Sequence, residues 1–488
     1  MTASRDEIEQ TVTRLWQKLL GIESIGRDDN FFQLGGDALL ATRLLSKLRQ
    51  LYCHAELSWR DLHEHPTVAG LAQRIEQLYA SANKQPYQPV KALFIATPPS
   101  ERHEFIEKYL KKKIAHALRL DDDSFTGNLT WVNWETITAD LIWDFRGDFQ
   151  LPVYRHEILK RPAIEALAEF ITVELEQRYG LRWVQTNSRP NFYNYETSSE
   201  PSLEPTKLSL SSRNKPAVFL LSAPRSGSTL LRLMLAGHPA LFCPPELSLL
   251  EHETMGQWLQ KRFLRFPKES GIVYNLLRVM GFTPTQAMID DPQWQEMPVQ
   301  EMYRLIQQHA APRFLVDKTP NYAKSLTTLR RAECWFDQPK YIHLVRHPYA
   351  VIESFVRHRF DKFIGPEGVD PYECAEQAWT ERNRNILALS QMVSSQRYYR
   401  IHYEELVCEP VSVMQGLCEF LKISFEKTML YPYACGRMIG GPGDPDIFQH
   451  DQIDPQLGEI WRDIILPRPL TKETGRVAAQ LNYGLPAG

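Results

Sequence analysis

The chain has 488 residues, 43% hydrophobic and 24% charged, with a formal net charge of −3. That length implies roughly two to four domains of ordinary soluble composition, and the near-neutral charge excludes a global basic field for nucleic acid. No apolar run approaches a membrane span, MTASRDEIEQ carries no signal core, and seven scattered cysteines without CxxC spacing point to reduced thiols in a cytosolic compartment rather than a structural zinc site.

Residues 4–80 read as a small helical bundle. Ile8, Val12, Leu15, Trp16 and Leu19 recur at helical spacing. The long loop GIESIGRDDNFFQLGG follows, and Asp37 is placed to cap a second helix from Ala38 to Leu51. A short turn at Trp59 to Leu62 precedes a last helix, Val68 to Tyr79. Residues 81–100 have the proline and small-residue content of a linker. Residues 101–182 read as a second helical domain, with Phe105, Ile106, Tyr109, Leu110 and Ile114 on one helix face. Further helices are expected over Trp131 to Phe145 and Arg161 to Tyr179. This order repeats that of the first domain. Residues 183–214, rich in Ser, Pro and Asn, read as a second linker.

The last domain, residues 215–475, is organised around VFLLSAPRSGSTL. Val218 to Leu221 is a continuous apolar run, the pattern of a strand buried on both faces. The chain then turns through Arg225, Ser226, Gly227, Ser228 and Thr229 into a helix with Leu230, Leu231, Met234 and Leu235 on one side. Strand, polar turn and helix aim backbone amides and a helix N-terminus at one spot, which suits an anion. No GxxxxGK[ST] is present, which disfavours a Mg-nucleotide triphosphatase or a kinase-like phosphotransferase. Tyr341 to Val345 reads as another strand, followed by Arg346-His347-Pro348 and a helix carrying Ser354. Arg346 and Ser354 are expected to converge on a second phosphate, giving a ligand phosphorylated at separated positions.

Those residues resemble a sulfotransferase that uses 3′-phosphoadenosine 5′-phosphosulfate (PAPS) and releases the corresponding bisphosphate, PAP. Ala223 to Thr229 is similar to the family's 5′-phosphosulfate loop, with the amides through Leu230. Arg346 with Ser354 is similar to its 3′-phosphate pair. Asp317-Lys318-Thr319-Pro320 and Tyr403-Glu404-Glu405-Leu406 resemble two further family segments. PPELSLLEHETM and YIHLVRHPYAVIESFVR are similar to sulfotransferase domains embedded in polyketide and nonribosomal peptide assembly lines of the curacin type. The resemblance implies a three-layer, P-loop-like α/β domain with a central parallel sheet behind small all-α bundles. NFFQLGGD followed by Leu39-Leu40 resembles the carrier-domain motif that bears a phosphopantetheine arm. Ala38 stands where the family has the serine, so no arm can attach at that residue; its intact surroundings suggest deliberate replacement, with a naturally silent carrier as the alternative. Residues 101–182 then resemble a degenerate carrier fold acting as a spacer or docking platform. Thr136 is a poor attachment site because Asn133-Trp134 replaces the glycine pair.

The resemblance implies transfer of SO3 from PAPS to a hydroxyl of a carrier-tethered acyl or peptidyl chain, a β-hydroxyl in the relatives. Upstream and downstream assembly-line modules would be its partners, without nucleic acid or membrane. Arg225, the amides of Ser226 to Leu230, and Lys318 would meet the developing charge, unless Lys318 merely pairs with Asp317. Tyr403 joins the nucleotide residues. The base is Glu246 or His450, with His252 a weaker third candidate. Arg357 and Arg359 are candidates for a phosphate contact. Gly436 to Gly443 reads as a lid. No GxSxG elbow is present, so the chain has no thioesterase of that kind; its product is a stable sulfate ester or is processed by another protein. Rival readings are a silent carrier-docking module and a sulfotransferase acting on a free small alcohol.

Overall fold

The structure is a computed structural model that describes the chain except residues 1–4, 21, 23, 35–40, 42–43, 46, 49–50, 53–56, 58, 82–89, 119–133, 152, 154, 162, 180, 182–212, 264–290, 365–367, 434–451 and 486–488. The N-terminal domain contains α1 (Arg5–Leu20), α2 (Trp59–Glu64) and α3 (Val68–Ser81). In α1 the apolar face, Ile8, Val12, Trp16 and Leu19, is buried, and Asp6 and Glu7 complement the positive end of the helix. Phe31 from the long loop packs edge-on against Trp16, ring centroids 5.0 Å apart. The aromatic residues of the loop therefore belong to the core. The expected turn at Trp59 is the short helix α2.

The second domain comprises α4 (Val90–Ala96), α5 (Arg102–Leu118), α6 (Trp134–Phe149), α7 (Arg155–Leu159) and α8 (Ile164–Arg178). Helix α4 lies inside the stretch expected to be linker. Its Phe94 is fully buried and meets Phe105 and Phe149, so the domain begins near Val90. Prolines on both sides masked a single amphipathic helix. Ile106, Leu110, Ile114, Phe145, Leu167 and Ile171 fill the core, crossed by a buried Arg102–Glu176 ion pair. Thr136 falls in the first turn of α6.

The elements of the third domain that position the site are, in chain order, β1 (Val218–Ser222), α9 (Ser228–Leu235), β2 (Leu241–Phe242), α10 (Val299–Ala310), β3 (Phe314–Lys318), β4 (Lys340–Val345), α11 (Pro348–Arg357), α12 (Pro371–Ser390), β5 (Tyr398–His402), α13 (Tyr403–Cys408) and α14 (Lys472–Gln480). The five strands pair in the order β2-β3-β1-β4-β5, all parallel. Phe219 stacks on Tyr341 on one face, near Tyr303 and Phe336; Leu220 and Ile342 pack with Leu231 and Met234 on the other. Both faces of β1 are buried along its whole length, which is why that strand is apolar without alternation. β1 is central, with β2 and β3 to one side and β4 and β5 to the other, a strand-order switch of the kind whose carboxyl ends hold ligands. The domain is longer than expected at both ends. The Asn214 amide bonds the Trp335 carbonyl, and Val477, Ala478 and Leu481 pack against Ala223, Val345, Val351 and Trp379.

Candidate active site

The turn after β1 is held open by its backbone. Arg225 and Gly227 both have positive φ, 66° and 86°. Gly227 has a further constraint: a Cβ there would meet Tyr403 Cε2 at 2.3 Å, so only glycine lets the turn approach that ring. No side chain caps the N-terminus of α9, which leaves its first amides for a ligand. Ser228 and Leu230 are buried in that first turn, and Thr229 is half-buried. Among the described residues, the buried Ser226 Oγ and Arg346 Nε have no hydrogen-bond partner. Uncapped amides, a lone hydroxyl and a guanidinium nitrogen fit an anionic phosphosulfate or phosphate group.

Arg346, at the end of β4, donates from Nη1 to the Arg225 carbonyl at 3.1 Å and stacks over Tyr403, 4.2 Å from the ring centroid. Ser354 Oγ accepts from Arg225 Nε at 3.1 Å, because the left-handed backbone at Arg225 directs that side chain to α11. The two expected phosphate sites are thus joined through Arg225. His358, one turn beyond Ser354, donates from Nδ1 to the Ser354 carbonyl at 2.7 Å, and Arg225 Nη2 lies 3.3 Å from the same nitrogen. Sequence reasoning passed over His358; its i+4 spacing from Ser354 was the available signal.

Lys318 ends β3, in register with Leu220 of β1. It is 2% exposed and ion-paired to Glu246. Burial pulls its ammonium below the usual lysine range, opposed by Glu246 and reinforced by Arg232. Arg232, also buried, donates to the Cys243 carbonyl at 3.1 Å; it lies four residues after Ser228 and was likewise missed. The alternative pairing of Lys318 with Asp317 does not occur. Adjacent strand residues face opposite sides, and Asp317 accepts instead from Tyr303 Oη at 2.6 Å, Tyr322 Oη at 2.9 Å and Thr319 Oγ1 at 3.1 Å. Burial pushes Asp317 up to about 6 against these hydrogen bonds. The same hydroxyls fasten the loop that carries Glu246: Ser248 N donates to Thr319 Oγ1 and Leu249 N to Tyr322 Oη.

Two arginines change role. Arg357 pairs with Glu353 at 2.8 Å. Arg359 is only 8% exposed, ion-paired to Glu157 and Glu174 of the second helical domain, so it is not available to a phosphate. His252 is buried in a turn, its amide bonded to the Leu249 carbonyl. His450, the Gly436 to Gly443 stretch and Ala38 lie outside the described residues.

A parallel α/β domain with a glycine turn, an uncapped helix and arginines at adjacent strand ends defines an α/β protein built to hold an anionic, phosphorylated ligand. The Sulfotransferase family profile matches residues 216–427, and the Phosphopantetheine attachment site profile matches residues 10–75. The sulfotransferase domain from the curacin biosynthetic pathway is 45% identical, with a TM-score of 0.53; the match covers 56% of this chain and 100% of that one. The sulfotransferase domain from the Synechococcus PCC 7002 olefin synthase is 44% identical, with a TM-score of 0.51, over 56% of this chain and 97% of that one. A linear gramicidin synthase protein of Brevibacillus parabrevis is 31% identical over 167 residues, 32% of this chain but only 3% of that protein's length. The chain belongs to the sulfotransferase family, the PAPS-dependent transferases, and bears a carrier-type domain ahead of the catalytic one. Among the described residues no helix is long and apolar enough to cross a membrane.

Proposed function

We propose that this chain sulfates a hydroxyl, a β-hydroxyl by analogy with the curacin-type relatives, on an acyl or peptidyl chain tethered to a carrier domain of a cytoplasmic assembly line. The supporting observation is that the uncapped α9 turn, Arg346 and the Lys318–Glu246 pair lie at the carboxyl ends of the adjacent strands β1, β4 and β3, in a chain that also holds a carrier-type domain. PAPS, when bound, supplies the sulfuryl group, which passes to the acceptor oxygen as the sulfur–oxygen bond to the phosphate breaks. The amides of Ser226 to Leu230, with Ser226 Oγ and Thr229, hold the 5′-phosphosulfate. Arg346 and Ser354, together with Arg225, hold the 3′-phosphate, and Tyr403 supports the Arg346 guanidinium. Lys318 offsets negative charge that builds on the leaving oxygen. Glu246 takes the acceptor's proton, passing from its ion pair with Lys318 to the hydroxyl; His450 is the other candidate for that step.

The test restores the attachment site with Ala38→Ser, loads hydroxyacyl phosphopantetheine arms and adds PAPS. Mass spectrometry should show the mass of one SO3 added to the tethered chain. Loaded carrier that gains no sulfate, while a free alcohol does, would overturn the tethered-substrate reading.

A further inference from the structure

The second helical domain touches the catalytic domain at the far end of the helix that carries Ser354. Arg359, just past α11, has a left-handed backbone (φ 51°), is 8% exposed, and donates to both oxygens of Glu157, from Nη1 at 3.1 Å and Nη2 at 2.7 Å. Nη2 also lies 2.9 Å from Glu174, and the guanidinium sits 5.6 Å from the centre of the Phe170 ring. Arg178 Nη1 donates to the Arg357 carbonyl at 2.8 Å, so α8 holds the backbone of the same turn. On the other side of that turn, His358 bonds the Ser354 carbonyl, and Ser354 Oγ accepts from Arg225. A short run of contacts therefore leads from a buried and a half-buried carboxylate of the helical domain to the arginine of the β1 turn.

Two carboxylates share one arginine at this junction. Without Arg359, Glu157 and Glu174 would face each other nearly dry, which opposes docking. Without the carboxylates, Arg359 would be a buried cation on a strained turn that has lost its paired negative charges. We propose that residues 90–181 are a fixed part of the sulfotransferase unit, and that Glu157 and Glu174 act through Arg359 as positioning residues that set Ser354, His358 and Arg225 for the donor's phosphate. This rests on the function proposed above only in naming the ligand. It gives the second domain a task that needs no phosphopantetheine arm.

The experiment uses the full chain with two variants, Arg359→Met and the double variant Glu157→Gln/Glu174→Gln. Hydrogen exchange over residues 348–360 reads the clamp without any ligand, and calorimetric titration with PAP reads its consequence. Faster exchange in that segment is expected for both variants, with PAP affinity weakened about fivefold or more and exchange in β1 and β4 unchanged. If only Arg359→Met weakens PAP, the arginine touches the nucleotide itself and the positioning role is overturned. Unchanged exchange in both variants also overturns it. Wild-type chain that binds no PAP counts against the sulfotransferase reading instead, and the exchange data still decide the clamp.

Discussion

Gly227→Ala is the most informative single substitution in the β1 turn. Two separate penalties apply. The backbone is at φ 86°, where an L-residue costs about 1–2 kcal/mol. The new methyl would also lie 2.3 Å from Tyr403 Cε2 and 2.4 Å from Cδ2, so a 5%-exposed ring must shift, an overpacking cost of about 1–3 kcal/mol. The expected loss is about 2–5 kcal/mol in chemical denaturation. Tyr403 also carries the Arg346 guanidinium, so PAP affinity should fall with stability. A double-mutant cycle separates the penalties. In a Tyr403→Ala background the steric part vanishes, and Gly227→Ala should then cost only the backbone share, about 1–2 kcal/mol. Equal costs in both backgrounds would refute the packing argument, and an unperturbed single variant would refute both.

Glu246→Gln should lower kcat by about a hundredfold or more while PAP affinity stays near wild type; if kcat persists and His450→Ala abolishes it, the proton goes to His450. Lys318→Met should cost about a hundredfold or more in kcat, since it removes a fixed donor, and should also strand Glu246. Tyr322→Phe deletes a hydroxyl that donates to Asp317 and accepts from the Leu249 amide, so a stability loss of about 1–3 kcal/mol is expected by urea unfolding. The pH profile follows from groups buried in the catalytic domain. His343 is depressed to about 3 and His347 to about 4 by burial, so each stays neutral in the fold while the unfolded chain gains protons below its ordinary value of 6.5. Stability from these two is complete above that value and drains away as pH falls toward the folded values. Asp317, raised to about 6, acts in the opposite sense: its contribution is present below 3.8 and lost as pH rises through about 6. The histidines outweigh Asp317, and a net loss of about 2 kcal/mol is expected between about pH 7 and about pH 5. A midpoint that rises on acidification would show that the imidazoles are not held neutral.

The sequence alone determined the strand–turn–helix at Val218 to Leu235, the second strand at Tyr341, and the carrier motif around Ala38, because each depends on local periodicity and on residue types close along the chain. It also brought forward Arg225 and Arg346 from their places after two strands, and Lys318 and Glu246 through the resemblance to the sulfotransferase family. It could not report partners that approach from distant parts of the chain. That Lys318 turns to Glu246 rather than Asp317 follows from the strand's alternation together with the path of the 244–250 loop. That Ser354 receives Arg225 depends on a left-handed residue no pattern reveals. Arg359 looked like a free cation on a helix because its carboxylates lie about two hundred residues earlier (Glu157 and Glu174). The helix at Val90–Ala96 was hidden among prolines, and only the surface that buries Phe94 makes it a helix worth forming. Periodicity is a one-dimensional record of which face is apolar; which charge meets which, and what covers a face, are settled only when the chain closes on itself.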